Sequence, residues 1–283
     1  MMEKIALLVD SGTDVPKAVI EQGPIFIAPL NIHYTEATYQ DSVNITPETV
    51  YQQMPDRIPT TSTPSGEQIH GILHKIKADG YQKVIVITIS SGLSGTLNAI
   101  RMQAEEFDNL EFAFIDTKNI SVASGLSVIY AASLIAAGDD FQTVVAKTEA
   151  QLTNNKIFFY VDTLMYLIKG GRIGRVSGMV GQLLNIKPVI SCDESGIYYP
   201  VAKERGKTKA LKKINQLVHD FAENHEVDII IVNADTKELA EKMRESLQSS
   251  GLKIRQLLSS EVSPALGVHT GPGAIGIAVH RVN

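Results

Sequence analysis

Apolar positions follow two alternating patterns through the first half of the chain. Short continuous runs rich in aliphatic and β-branched residues, Ile5–Val9, Ile25–Leu30, Val84–Ile89 and Phe112–Ile115, read as strands. Runs of this kind suit a parallel sheet covered on both faces. Between them, apolar residues recur every three or four positions. Ile69, Ile72, Leu73 and Ile76 predict a helix opened by Pro64, with Thr63 as its N-cap. Leu97, Ile100 and Met102 predict a second helix, and the stretch from Ser121 to Gly138 predicts a third, buried one. Strand, loop and helix in repetition predict an N-terminal three-layer α/β domain with a mostly parallel sheet.

The pattern changes near Asn154-Asn155. Strands are predicted at Ile157–Val161, Ile186–Ser191, Ile197–Ala202, Val227–Val232 and Ala274–His280. Helices are predicted at Leu164–Lys169, Thr208–Asn224 and around Leu239–Leu247. Cys192-Asp193-Glu194-Ser195-Gly196 joins two of the strands as a hairpin loop. Antiparallel pairs mixed with helices predict a C-terminal α+β domain, so the expected division is 1–154 and 155–283.

Composition narrows the class. At 283 residues, with 44% hydrophobic and 20% charged positions, the chain is an ordinary globular one. The single cysteine, Cys192, excludes an internal disulfide framework and a cysteine metal cluster. His70 and His74 stand four apart with no third ligand in the pattern, so no metal is expected. The N-terminal apolar run is too short for a signal-peptide core. The 121–138 stretch carries four serines and falls short of a membrane span. The expectation is a cytoplasmic protein without stable membrane insertion.

Net charge is -5, unevenly distributed. Thr163 to Lys213 holds ten Lys/Arg against three Asp/Glu. A basic segment on an acidic body suggests a surface for an anionic partner, or simply solvated lysines on a helix and a hairpin. No aromatic-interleaved basic motif accompanies it, so nucleic acid is not expected.

The candidate chemistry lies in three small-residue loops expected at strand ends. They are Thr61-Ser62-Thr63-Pro64-Ser65, Ser90-Ser91-Gly92-Leu93-Ser94-Gly95-Thr96 and His269-Thr270-Gly271-Pro272-Gly273. They offer hydroxyl and backbone N–H donors, which suit a carboxylate or phosphate. The helix after Thr61-Ser62 is expected to turn free N–H groups toward such an anion. Capping and turn formation would use the same residues. Asp10-Ser11-Gly12-Thr13-Asp14 lacks the second acid of an aspartyl-phosphate motif, and Asp10 is expected to bind loop N–H groups. Gly271-Pro272-Gly273-Ala274-Ile275-Gly276 matches a dinucleotide fingerprint literally, but a strand follows it, so the match is rejected. Close backbone approach to a ligand remains open there. Around Ser94 the final glycine of a hydrolase elbow is missing.

Taken together, Thr61-Ser62-x-Pro64-Ser65, Ser90-Ser91-x-Leu93-Ser94-Gly95-Thr96, Asp116-Thr117 and Lys169-Gly170-Gly171-Arg172-Ile173 resemble the DegV family. So do Lys187-Pro188, Lys203-x-Arg205 and His269-x-Gly271-Pro272-Gly273, in the family's order along nearly the whole chain. Thr63 stands where the family usually carries glutamine, which leaves both hydroxyls in place. The resemblance implies one long-chain fatty acid buried between two domains. It implies Thr61 and Ser94 at the carboxylate, with Ser62, Ser91, Gly95 and His269 nearby. Arg172 and Arg205 would serve the phosphate or the encounter with a kinase. Some members are the fatty-acid-binding subunit of a bacterial fatty acid kinase, and this chain is similar to those. ATP and metal would then belong to the separate, ATP-dependent kinase subunit, with no cofactor or catalytic residue here. Two alternatives stay open: a hydrolase or phosphatase using Ser94 or Asp10, and a lipid-sensing regulator without a kinase partner.

Overall fold

Strand β1 (Ile5–Asp10) is buried at every position, as its unbroken apolar run requires. The computed structural model describes residues 4–179 and 185–282. After β1 come α1 (Lys17–Gln22), β2 (Ile25–Ala28), β3 (Asn31–His33), β4 (Thr38–Gln40), α2 (Pro47–Gln53) and β5 (Thr60–Ser62). There follow α3 (Gly66–Ala78), β6 (Lys83–Thr88), α4 (Thr96–Ala104), β7 (Glu111–Asp116), α5 (Val122–Ala137) and α6 (Phe141–Gln151). A four-stranded sheet runs β2-β1-β6-β7, every pair parallel. Its two faces are covered by separate apolar clusters, one with α5 and α6, the other with α3 and α4. The expected parallel α/β unit is present.

The second half holds β8 (Asn155–Tyr160), α7 (Met165–Lys169), β9 (Ile186–Cys192), β10 (Tyr198–Arg205), α8 (Lys207–Ala222) and β11 (Glu226–Asn233). It ends with α9 (Lys237–Gln248), β12 (Lys253–Glu261), α10 (Pro264–Thr270) and β13 (Ile275–Val282). These strands form a six-stranded sheet, β10-β9-β8-β13-β11-β12, antiparallel except for β11 with β12. The predicted α+β character holds. Large apolar residues on one face meet α8 and α9, whereas the other face joins a core shared with the first half. Leu30, Leu93 and Ile120 there meet Phe159, Tyr198 and Leu266.

Several elements differ from the sequence expectations. Thr61-Ser62 is not a loop but part of β5, the edge of a small antiparallel sheet ordered β4-β3-β5. The next helix is capped by Ser65, not Thr63, through a reciprocal capping box with Gln68. The Ser-x-x-Gln spacing outweighs Pro64 as a start signal. Two of the N–H groups at this helix start, those of Ser65 and Gln68, are therefore spent locally rather than turned toward an anion. Met102 is 67% exposed, so α4 packs through Leu97, Ile100 and Ala104. Helix α10 was not expected, being short and interrupted by Gly267. Consequently His269 lies in the last turn of a helix instead of in a loop.

Helix α10 is seated in the first half of the chain by two buried carboxylates. Asp14 accepts from the Ser263 N–H at 3.2 Å, and Asp41 from the Ala265 N–H at 3.1 Å. Helix α5 is buried over its first half and ends at Gly138 in the left-handed region. Among the described residues no helix is long and apolar enough to cross a membrane.

Candidate functional site

Four chain segments bring polar side chains to one cavity of about 50 Å³. Its polar lining comes from Thr61 and Ser62 of β5, Thr63 beyond it, Ser94 of the loop before α4, Arg172 after α7, and His269 of α10. The remaining lining is apolar apart from Tyr198. A second cavity, of about 30 Å³, lies beside it against the six-stranded sheet. The two share Ile120, Tyr198 and Leu266. A polar mouth thus continues into an apolar chamber.

The β-sheet register puts Thr61 across from the fully buried Ile32. The Asn31 amide donates to the Thr63 carbonyl at 3.0 Å and exchanges bonds with the Gln68 amide, fixing the chain just after β5. Thr61 Oγ1 lies 2.7 Å from His269 Nε2, joining positions 208 residues apart. The other ring nitrogen, Nδ1, is buried and has no hydrogen-bond partner among the described residues. With the proton on Nε2, only a lone pair is left unpaired at Nδ1. Nε2 then donates to Thr61, whose own O–H is free to donate to a ligand oxygen. Burial, assisted by the Arg172 charge, lowers the His269 pKa to about 4, so the ring is neutral near pH 7.

Position 170 completes this pair. A Cβ there would lie 2.0 Å from His269 Nδ1, so only glycine lets the turn after α7 pass behind the imidazole. The same turn aims Arg172. Its Nε donates to the Leu93 carbonyl at 3.2 Å, and Nη1 to the Gly170 carbonyl at 2.7 Å. Arg172 is the cation of the mouth, anchored to the loop that carries Ser94. Ser94 Oγ pairs with Thr96 Oγ1 at 2.9 Å and is half-buried.

The remaining expected residues lie elsewhere. Ser91 is exposed; its Oγ donates to Asp116, which also binds Lys118. Gly95 is the N-cap residue of α4, against Thr63 rather than in the cavity lining. Arg205 is exposed at the end of β10, across from Ile186. The hairpin tip of β9 and β10 also contributes. Gly196, with φ of 74°, packs so closely on Ser90 that a Cβ would fall 1.8 Å from its Oγ. That contact buttresses the serine loop from the other half of the chain.

Neither hydrolytic alternative gains support from this geometry. Ser94 has no base, since His269 pairs with Thr61. Asp10 is fully buried and accepts from the Ile89 N–H at 3.2 Å. Burial pushes its pKa up to about 8, which leaves it mostly protonated near neutrality and a poor nucleophile. A larger cleft of about 1380 Å³ opens beside it, with Glu21, Glu67 and Glu261 against the single lysine Lys17 in its lining, a poor match for an anionic ligand. Among the described residues no group of three or more His, Cys, Asp or Glu could hold a metal.

A family model described as "uncharacterised protein, DegV family" matches residues 4–282. The chain belongs to the DegV family. It is 40% identical over 281 residues to a DegV domain-containing protein of Clostridium acetobutylicum, covering 99% of this chain and 100% of that one. A fatty-acid-binding DegV family protein from Thermus thermophilus superposes with a TM-score of 0.92 at 28% identity, covering 99% and 100% of the two chains. DegV of Bacillus subtilis, a fatty-acid-binding protein, gives 0.91 at 28% identity over 100% of both. Within this DegV family chain, Arg172, expected to serve the phosphate or the encounter with a kinase, lines the mouth. Tyr198 and Leu266 were missed, because an aromatic in a strand and a leucine in a short helix look like ordinary core.

Proposed function

We propose that this chain holds one long-chain fatty acid, its carboxylate in the mouth and its acyl chain directed through the apolar chamber into the apolar core around it. The observation that carries this reading is the convergence of Thr61, Ser94, His269 and Arg172 on one cavity that continues into an apolar one. A carboxylate taken out of water needs several donors to offset its desolvation. Two hydroxyls and a guanidinium supply them, and neutral His269 orients one hydroxyl. Each buried methylene adds about 0.8 kcal/mol, so the chain contributes most of the affinity. Fatty-acid binding by the Thermus and Bacillus relatives supports the reading.

The finer reading is that the bound carboxylate is presented to an ATP-dependent kinase for conversion to an acyl phosphate. Phosphoryl transfer is mainly positioning and charge stabilisation, and nucleotide and metal would come with the partner. The exposed Arg205 and the basic run around it would meet the kinase, while Arg172 faces the reacting oxygen. Residues 1–154 and 155–283 would act as two domains closing on the ligand, in the cytoplasm.

Arg205→Ala is expected to bind hexadecanoate within about threefold of the parent by calorimetry, while acyl phosphate formation with the kinase falls at least tenfold. Arg172→Ala is expected to lose both. Equal acyl phosphate yield from Arg205→Ala and the parent would remove Arg205 from the encounter. Ligand binding without product from the parent with any acyl-phosphate-forming kinase would favour a lipid sensor.

A further inference from the structure

Helix α10 lies between β12 and β13 of the second half, yet its polar anchors come from the first. At its start Asp14 accepts from the Ser263 N–H at 3.2 Å and Asp41 from the Ala265 N–H at 3.1 Å. Midway, Gly267 rests on Tyr51 of α2 so closely that a Cβ would lie 2.8 Å from the ring carbon Cε1. In the last turn His269 bonds Thr61 of β5. The helix is only seven residues long. Its own bonds, from the Gly267 N–H to the Ser263 carbonyl and from the Gly271 N–H to the Gly267 carbonyl, tie start to end. A tilt at the start therefore moves His269.

The backbone around the two carboxylates is unusual. Asp14 has φ of 46°, Ser42 60° and Ser121 54°, left-handed values that side chains other than glycine seldom adopt. Each belongs to the anchor: Ser121 Oγ donates to Asp14, and Ser42 Oγ to Asp41 at 3.4 Å. Ser11 Oγ donates to the other Asp41 oxygen at 2.6 Å and accepts from the Leu30 N–H at 3.0 Å. The Asp41 N–H bonds the Leu30 carbonyl at 2.9 Å. Leu30 directly precedes β3, the strand paired with β5. The anchor of the helix and the strand that carries Thr61 thus share one frame. Strained backbone of this kind persists where the surrounding structure fixes it, and here it aims two carboxylates at the start of α10. Neither of them lines the mouth.

We propose that Asp14 and Asp41 are positioning residues of the carboxylate site: through α10 they set the His269–Thr61 pair, and with it the preference for a carboxylate headgroup. The inference rests on the fatty-acid reading above and names the residues that align one of its donors. Without an anchor the helix start is free to lift, Nε2 leaves Thr61, and the hydroxyl loses the partner that orients it. Leu266, on the same helix, borders both the mouth and the apolar chamber, so its displacement affects every long-chain ligand alike.

The test is a calorimetric titration of the full-length protein with dodecanoate and with dodecan-1-ol, which has the same chain length and no carboxylate. The readout is the ratio of the two affinities, in which effects on the acyl chain cancel. Asp41→Ala is expected to lower the dodecanoate-to-dodecanol ratio about tenfold, the size of one lost hydrogen bond to a charged group. Asp41→Asn keeps an oxygen for the Ala265 N–H and is expected to stay within about threefold of the parent. In a His269→Ala background the Asp41→Ala change is expected to alter the ratio less than about twofold, because residues that act through one another are not additive. Should Asp41→Ala fail to fold, Asp14→Ala decides by the same comparisons. A parental ratio in the folded alanine variant, an equal loss in the asparagine variant, or an undiminished effect in the His269→Ala background overturns the positioning role while leaving the fatty-acid reading standing. A parent protein that binds neither ligand overturns both.

Discussion

Gly170→Ala is expected to weaken carboxylate binding about a hundredfold in a protein that still folds. The added methyl carbon would stand 2.0 Å from His269 Nδ1 and 2.7 Å from Cε1. Contacts that short force the imidazole to move. It moves away from Gly170 at the cost of its 2.7 Å bond to Thr61, so the hydroxyl loses the partner that orients it. The turn also carries Arg172, whose Nη1 bonds the Gly170 carbonyl. Losing two donors to a buried anion, one of them charged, amounts to about a hundredfold in affinity. Calorimetric titration with hexadecanoate measures it. Gly71→Ala is the control, because nothing lies within 4 Å of that added carbon on α3. Gly170→Ala with parental affinity would show that the His269–Thr61 pair does not position the ligand.

Stability is expected to fall as the pH rises from about 4 to about 8, the reverse of the usual acid-denaturation slope. Burial raises the Asp10 pKa from 3.8 to about 8 and that of Asp14 to about 7, and it raises Asp41 as well. Hydrogen bonds from Ile89 to Asp10 and from Ser121 and Ser263 to Asp14 oppose the shift without cancelling it. The unfolded chain releases the Asp10 and Asp14 protons near pH 4, whereas the folded one keeps them until about 8 and about 7. Between those limits the folded state binds more protons, so raising the pH favours unfolding. For Asp10 alone the full swing is on the order of 5 kcal/mol at most. Below about pH 4 the slope reverses through groups such as Asp116; burial pushes its carboxyl up, but bonds from Lys118 and Ser91 more than offset that and hold it below its usual range. Thermal melting across the range checks the sign. Asp10→Asn, which cannot ionise, is expected to flatten the decline, and an equally steep decline in that variant would remove Asp10 as its source.

Apolar periodicity made most of the large architecture legible. The runs at Ile5, Val84 and Phe112 became paired parallel strands, and the hairpin across Asp193 formed as expected. The losses were short elements whose sequence carries little periodicity. Strand β5 is three residues of threonine and serine, recognisable only once β3 lies beside it. Strand β12 alternates weakly because it is a sheet edge. Helix α10 is held by contacts with Asp14, Asp41 and Tyr51 rather than by its own propensity. In the site, the hydroxyl residues Thr61 and Ser94 were legible because the segments that carry them are chemically unusual. Ser91 was not separable from Ser94, since only the fold shows that one faces Asp116 and the other the cavity. The cavity role of Arg172 depends on a neighbour 79 residues away, Leu93, which no local pattern announces.

Native mass spectrometry of the purified protein, followed by denaturing extraction, tests the central claim most directly. The account predicts one long-chain fatty acid per chain in the parent and a depleted or empty protein in the Thr61→Ala/Ser94→Ala double variant with an unchanged melting profile. A parent that emerges empty and refuses added hexadecanoate, or a double variant that carries as much lipid as the parent, would contradict it.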